Sequence, residues 1–278
     1  MRILRTLAEL DAERDRHGRS SGLGGVCVPT MGALHEGHAT LIRLAASRGR
    51  CVVWVFVNPT QFNDSRDFER YPRSLDADAE VCRRAGCEVL FAPRPQDVYP
   101  SGVPIEVPAL PSVATEPGLE DRHRPGHFAG VCQVVLRLFR LLVPDAAVFG
   151  EKDWQQVQVV RAMAAEHMPG VDILGVPTVR DADGVALSSR NALLSLRGRL
   201  AAVGLSRALE VAGREPAPEA AERSMADVLR SSGLGVEYAV VRDAETLGPP
   251  RGRTCRALVA AWSDGVRLID NAPWPGGL

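Results

Sequence analysis

Short apolar runs recur through the first 180 residues, separated by stretches with helical spacing: GGVCVPT, CVVWVFVN, CEVLFAP, AAVFG and VDILGVPTV. That order predicts strands alternating with helices, the pattern of a parallel α/β sheet. The run Cys51 to Val57 is apolar throughout and does not alternate, as expected of a strand covered on both faces. Val131, Val134, Val135, Leu138, Leu141 and Leu142 form a helical stripe, with Gln133, Arg137 and Arg140 opposite. The pattern lapses between Ala92 and Phe128, where Pro and Gly are frequent. A long irregular excursion with the basic cluster Arg122, His123, Arg124 and His127 reads as an active-site flap.

After Asp181 the pattern changes. ALSSRNALLSLRGRLAAVGLSRALEVAG reads as a helix, a Pro/Glu/Ala linker covers 214–221, and a second helix runs to about Leu229. VEYAVVRD, RALVAAW and VRLIDN then read as an antiparallel set of strands. The expected organisation is a Rossmann-like parallel-sheet domain over 1–179 and a smaller C-terminal α+β domain over 180–278.

Charge excludes some function classes. The 278 residues carry 33 Lys and Arg against 34 Asp and Glu. This balance recruits neither nucleic acid nor an anionic membrane, and an anionic ligand must be held by local groups. No run approaches the ~18 apolar residues of a membrane span, and the charged N-terminus does not resemble a signal peptide. The six cysteines lie mostly in apolar segments without a CxxC pair, which suits reduced thiols in a cytoplasmic protein.

Four stretches carry candidate chemistry. PTMGALHEGH delivers His35 and His38 where a helix begins after a strand. The spacing lacks the i, i+4 geometry of the zinc-binding HExxH helix, so three readings remain in order: a phosphate-binding turn, a plain helix start and, least favoured, a metal site. Position favours phosphate, because nucleotides bind beyond the carboxyl ends of parallel strands and helix N-termini attract anions. Gly32 and Gly37 allow close backbone approach, and imidazole N–H groups can donate to phosphate oxygens. The chain has neither GxGxxG nor GxxxxGK[ST], which disfavours a dinucleotide fold and a P-loop. FVNPTQF places Asn58 and Gln61 at the next strand's carboxyl end, where amides suit a small polar substrate. FGEKDWQQ places Lys152 beside Glu151 and Asp153, either a surface turn or a lysine facing phosphate. In ALSSRN, Ser188 and Ser189 are natural N-caps, and with Arg190 they could also clamp a triphosphate.

These residues carry a resemblance. PTMGALHEGH is similar to the HIGH-type motif of the nucleotidyltransferase superfamily, and ALSSRN to its counterpart of the KMSKS loop. Together with FVNPTQF, YPRS, RPGHFAGV, FGEKDWQQ, VPTVRDADGVALSSRN and the tail RLIDN, in matching order along nearly the whole chain, they resemble the pantothenate synthetase family. The resemblance implies ATP-dependent condensation of pantoate with β-alanine through a pantoyl-adenylate, with magnesium, in a cytoplasmic homodimer. It implies no nucleic-acid or membrane partner.

By position it assigns His38 as proton donor, His35 to phosphate, and Lys152 to phosphate and the pantoate carboxylate, the three catalytic candidates. ATP would lie along Met31, Gly32, His35 and His38, and along Gly150, Lys152 and Asp153. Val179 would meet adenine, and Leu187, Ser188, Ser189 and Arg190 would close over the phosphates. Gln61 and Gln156 would hold pantoate, Gln61 would also serve β-alanine, and Asn58, Tyr71, Arg124 and His127 would lie beside them. The family often carries adjacent acidic residues after its YPR motif. This chain reads Asp76-Ala77-Asp78, which leaves Asp78 as the expected magnesium residue.

Overall fold

Apolar residues on both sides of a strand can be buried only if both faces of the sheet are covered, and the core shows this directly. Cys27, Val52, Trp54, Val89, Phe91, Ala147 and Phe149 join one hydrophobic cluster. Their alternating neighbours Val26, Val28, Cys51, Val53, Leu90 and Val148 join another. Each fully buried large apolar side chain contributes roughly 1.5–3 kcal/mol. The structure, a computed structural model, describes residues 1–18, 22–62, 65–251 and 254–275.

The chain forms two compact units, one of residues 1–151 and 156–176, the other of 152–155 and 177–278. The strands of the first unit are β1 (Arg2–Leu4), β2 (Val26–Thr30), β3 (Cys51–Val55), β4 (Val89–Phe91), β5 (Ala146–Gly150) and β6 (Asp172–Val176). Among the described residues they form a six-stranded sheet in the order β1-β4-β3-β2-β5-β6, with every neighbouring pair parallel. Five of these strands fall within the predicted runs. The edge strand β1 does not, because three residues are too few to show a period.

The helices are α1 (Leu7–Arg16), α2 (Glu36–Arg48), α3 (Ser65–Arg70), α4 (Leu75–Arg84), α5 (Pro95–Val98), α6 (Glu120–His123), α7 (His127–Leu142), α8 (Trp154–His167), α9 (Leu196–Ala212) and α10 (Pro218–Ser231). Helix α7 buries the predicted stripe, including Val131, Val135, Leu138 and Leu142. The 92–128 excursion contains α5, a 3₁₀ turn at Ser112–Ala114, α6 and the first two residues of α7.

In the second unit β7 (Gly235–Asp243), β8 (Cys255–Ser263) and β9 (Val266–Trp274) form the antiparallel sheet expected. Helices α9 and α10 pack against it through Leu205, Leu209, Met225 and Leu229. The helix expected from Ala186 onward is corrected here. A 3₁₀ turn occupies Ser189–Leu193, and α9 begins only at Leu196. Ser195 provides the reason, since its hydroxyl accepts the Gly198 N–H at 3.1 Å and caps the later start.

All six cysteines are buried, and none forms a disulfide. Burial pushes the Cys132 thiol up to about 12, where it is neither nucleophile nor ligand near neutral pH.

Candidate active site

The turn after β2 is locked at four points. The Thr30 hydroxyl donates to the Trp54 carbonyl at 2.8 Å and accepts the Gly32 N–H at 3.2 Å. Gly32 and Ala33 follow with φ of +82° and +52°. Asp78, from α4, accepts the Ala33 N–H at 3.2 Å and the Leu34 N–H at 2.7 Å. Only glycine fits at position 32, because its backbone is left-handed and an added Cβ would lie 2.8 Å from Asp78 Oδ2.

Helix α2 then begins with a capping box built from the two histidines. His35 is the N-cap, and its Nδ1 accepts the Gly37 N–H at 3.1 Å. His38 reaches back so that its Nδ1 accepts the His35 N–H at 3.3 Å. The ring centroids lie 4.2 Å apart. A nitrogen that accepts a backbone N–H must present its lone pair, so each neutral imidazole carries its proton on Nε2. The cap thereby makes Nε2 the donor of each ring, at a helix N-terminus beyond the carboxyl end of a central strand.

Asp78 is 3% exposed, and burial raises its carboxyl pKa against the pull of the Leu34 and Ala33 N–H groups. An acid with a raised folded-state pKa stabilises the fold below its unfolded value and loses that contribution as pH rises through the folded one. Relative to Asp78→Asn, the wild-type protein should therefore lose stability as pH climbs from ~4 to neutrality. Urea unfolding of both proteins at the two ends of that range measures it, and parallel pH dependences would contradict the burial argument.

A second cluster in the same unit surrounds Gln61, which is 7% exposed. Its Nε2 donates to Met31 Sδ at 2.8 Å, and its Oε1 accepts Asn58 Nδ2 at 3.2 Å. Its backbone carbonyl accepts His127 Nδ1 at 2.9 Å and Arg124 Nη2 at 3.4 Å. The Arg124 guanidinium also donates to His127 Nε2 at 3.1 Å, which fixes that ring with its proton on Nδ1.

Asn58, expected beside the substrate, is held on every side by the protein. The residue is fully buried. Its carbonyl oxygen accepts from Tyr99 and Thr60, and its amide donates to Gly130 O and Gln61. It holds Gln61 through the Nδ2 to Oε1 hydrogen bond. Tyr71 is also buried, edge-on to Phe62 at 5.7 Å. Gln156 is half-buried in the first turn of α8.

In the second unit, Lys152 and Asp153 lie in the 3₁₀ turn after Gly150, with Lys152 Nζ 3.6 Å from Asp153 Oδ1. The Val179 carbonyl accepts the Leu187 N–H at 2.9 Å, beside an antiparallel bridge between Arg180 and Ala186. This closes a loop that ends in Ser188, whose hydroxyl accepts the Arg190 N–H at 3.3 Å. Arg180 grips Asp270 through two hydrogen bonds of 2.6 and 2.9 Å and also donates to Gly184 O. Neither Arg180 nor Asp270 was expected at the site. Only the tail motif RLIDN pointed toward Asp270.

Asp78, the residue expected near magnesium, is engaged by the backbone of the turn. Both Asp78 oxygens accept backbone N–H groups, and the described residues contain no group of three His, Cys, Asp or Glu able to hold a metal. Magnesium commonly enters such reactions on the substrate's phosphates, with few protein ligands.

This architecture is that of a Rossmann-like α/β protein with a smaller α+β unit. A family model described as pantoate-beta-alanine ligase matches residues 2–273. The pantothenate synthetase of Rubrobacter xylanophilus is 46% identical, with 98% of each chain covered. That of Cereibacter sphaeroides is 48% identical, covering 98% of this chain and 99% of the relative. The crystal structure of pantothenate synthetase from Thermus thermophilus superposes with a TM-score of 0.89 at 41% identity, over 98% of this chain and 99% of that one. Pantoate-beta-alanine ligase from Francisella tularensis, solved with beta-gamma ATP and beta-alanine, gives 0.80 at 31% identity, over 98% and 97%. The chain belongs to the pantoate-beta-alanine ligase family and is an enzyme of the ligase class.

Proposed function

We propose that this ligase condenses pantoate with β-alanine at the expense of ATP through a pantoyl-adenylate. The observation that carries the reading is the histidine capping box, which sets both imidazoles at the start of α2 with Nδ1 turned to the backbone. The Francisella relative solved with beta-gamma ATP and beta-alanine supports the substrate class.

A pantoate carboxylate oxygen attacks the α-phosphorus, the bond to the β-phosphate bridging oxygen breaks, and pyrophosphate leaves. The β-alanine nitrogen then attacks the acyl carbon, the acyl C–O bond breaks, and AMP departs with that oxygen. The first step brings an anion toward an anion, so cations and preorganised donors must cancel charge. Lys152 serves the α-phosphate and the pantoate carboxylate, His38 donates to the phosphate where charge develops, and His35 donates beside it. Met31, Gly32, Gly150 and Asp153 contact the nucleotide, and Val179 meets adenine. Leu187 to Arg190 attend the departing pyrophosphate. Gln61 and Gln156 orient pantoate, with Tyr71 alongside, while Arg124 and His127 hold the Gln61 backbone. The amine proton passes to water or to the AMP phosphate, because no side chain is assigned as its base.

Magnesium would enter with the ATP phosphates and offset part of their charge. The enzyme works as a homodimer in the cytoplasm. No helix among the described residues is long and apolar enough to cross a membrane.

An omission assay tests the reading. AMP should accumulate only with ATP, pantoate and β-alanine all present, and ATP–pyrophosphate exchange should need only the first two. Sustained AMP release without β-alanine, or a dinucleotide product, would overturn it.

A further inference from the structure

Asp270 and Asn271 are neighbours on β9 and are 2% and 3% exposed. A buried carboxylate persists only when paired and hydrogen-bonded. Asp270 meets that demand with the Arg180 guanidinium at 2.6 and 2.9 Å and the Asn271 N–H at 2.8 Å. Through Arg180, which also donates to Gly184 O at 2.9 Å, it ties β9 to the loop that leads into Ser188 to Arg190.

Asn271 holds a different segment. Its Nδ2 donates to the Lys152 carbonyl at 2.8 Å, and its Oδ1 accepts Arg256 Nε. Arg256 lies over the Trp154 ring at 3.6 Å, and Trp154 donates to the Ala244 carbonyl at 2.8 Å. Successive side chains on a strand take opposite faces. Asp270 shares its face with Leu268 and Ala272 of the hydrophobic cluster, and Asn271 takes the other. One strand thus anchors the Lys152 turn from one face and the 180–190 loop from the other.

We infer that Asp270 and Asn271 are positioning residues that hold Lys152 and the Ser188–Arg190 segment in fixed register for adenylate formation. The inference rests on the phosphate-handling roles proposed above for Lys152 and Arg190. Neither residue needs to touch substrate. Asn271 acts through the Lys152 backbone, and Asp270 acts through Arg180. A displacement of about 1 Å at reacting groups can cost on the order of 10²-fold, so the hydrogen bonds that set the Lys152 carbonyl bear on rate as well as on stability.

Double-mutant cycles separate positioning from bulk stability. Asn271→Asp keeps the size and the acceptor toward Arg256 but opposes an oxygen to the Lys152 carbonyl, and Asn271→Ser is the milder partner. Each is measured by ATP–pyrophosphate exchange with pantoate, alone and on a Lys152→Ala background. Rates are divided by the folded fraction from near-UV circular dichroism. The expected result is a fall in kcat of roughly 10–100-fold for Asn271→Asp, little change in KM for ATP, and less than about threefold further loss once Lys152 is gone. Asp270→Asn with Arg190→Ala forms the second cycle and should show the same non-additivity.

Effects that multiply in full in both cycles, or that vanish on correction for folded protein, would overturn the inference. The underlying reading fails in another way, with Lys152→Ala or Arg190→Ala exchanging at the wild-type rate.

Discussion

His38→Ala should slow ATP–pyrophosphate exchange by roughly 10²–10³-fold, the ~2.7–4 kcal/mol carried by one preorganised donor. The substitution removes two things at once. One is the Nε2–H assigned to phosphate, and the other is the Nδ1 acceptor for the His35 N–H. Loss of a cap by itself costs about 0.5–2 kcal/mol of helix stability. His38→Asn separates the two, because its carboxamide oxygen can take the place of Nδ1 while nothing replaces Nε2. The Asn variant should recover stability in urea but stay as slow as the Ala variant. Recovery of exchange to near the wild-type rate would show that capping, and not phosphate donation, is the function of His38.

The second large effect is expected at a residue that carries no functional group. An added Cβ at Gly130 would lie 2.5 Å from the Thr60 carbonyl oxygen and 2.8 Å from the Gln61 nitrogen. Both atoms are backbone, so no side chain can rotate away, and the turn bearing Gln61 must shift from α7. Gly130→Ala should cost about 1–3 kcal/mol in urea unfolding, the usual range for overpacking. It should also lower kcat/KM for pantoate by roughly 10–100-fold, since Gln61 moves with the turn. A variant with wild-type pantoate kinetics would remove Gln61 from the substrate site.

Legibility in the sequence followed the range of the interaction. Strands β2 to β6 were readable because each is a contiguous apolar run, and α7 because its stripe repeats within 12 residues. The edge strand β1 was too short to show a pattern. Around ALSSRN the composition suited a helix, and the later cap at Ser195 decided where α9 begins. Asn58 stood at a strand's carboxyl end and looked like a binder. The partners that fix it, Tyr99 and Gly130, lie 41 and 72 residues away and could not be read beside it.

The order of strands and helices, the charge balance and the motif string from HEGH to SSRN are properties of neighbouring residues, and the sequence alone determined them. The pin of Asp78 on a turn 44 and 45 residues before it and the reach of Asn271 to a carbonyl 119 residues away were decided by the tertiary structure. Hydrogen bonds between distant segments leave no period and no spacing in the chain, because they arise only once separately folded elements have packed and buried groups must find partners.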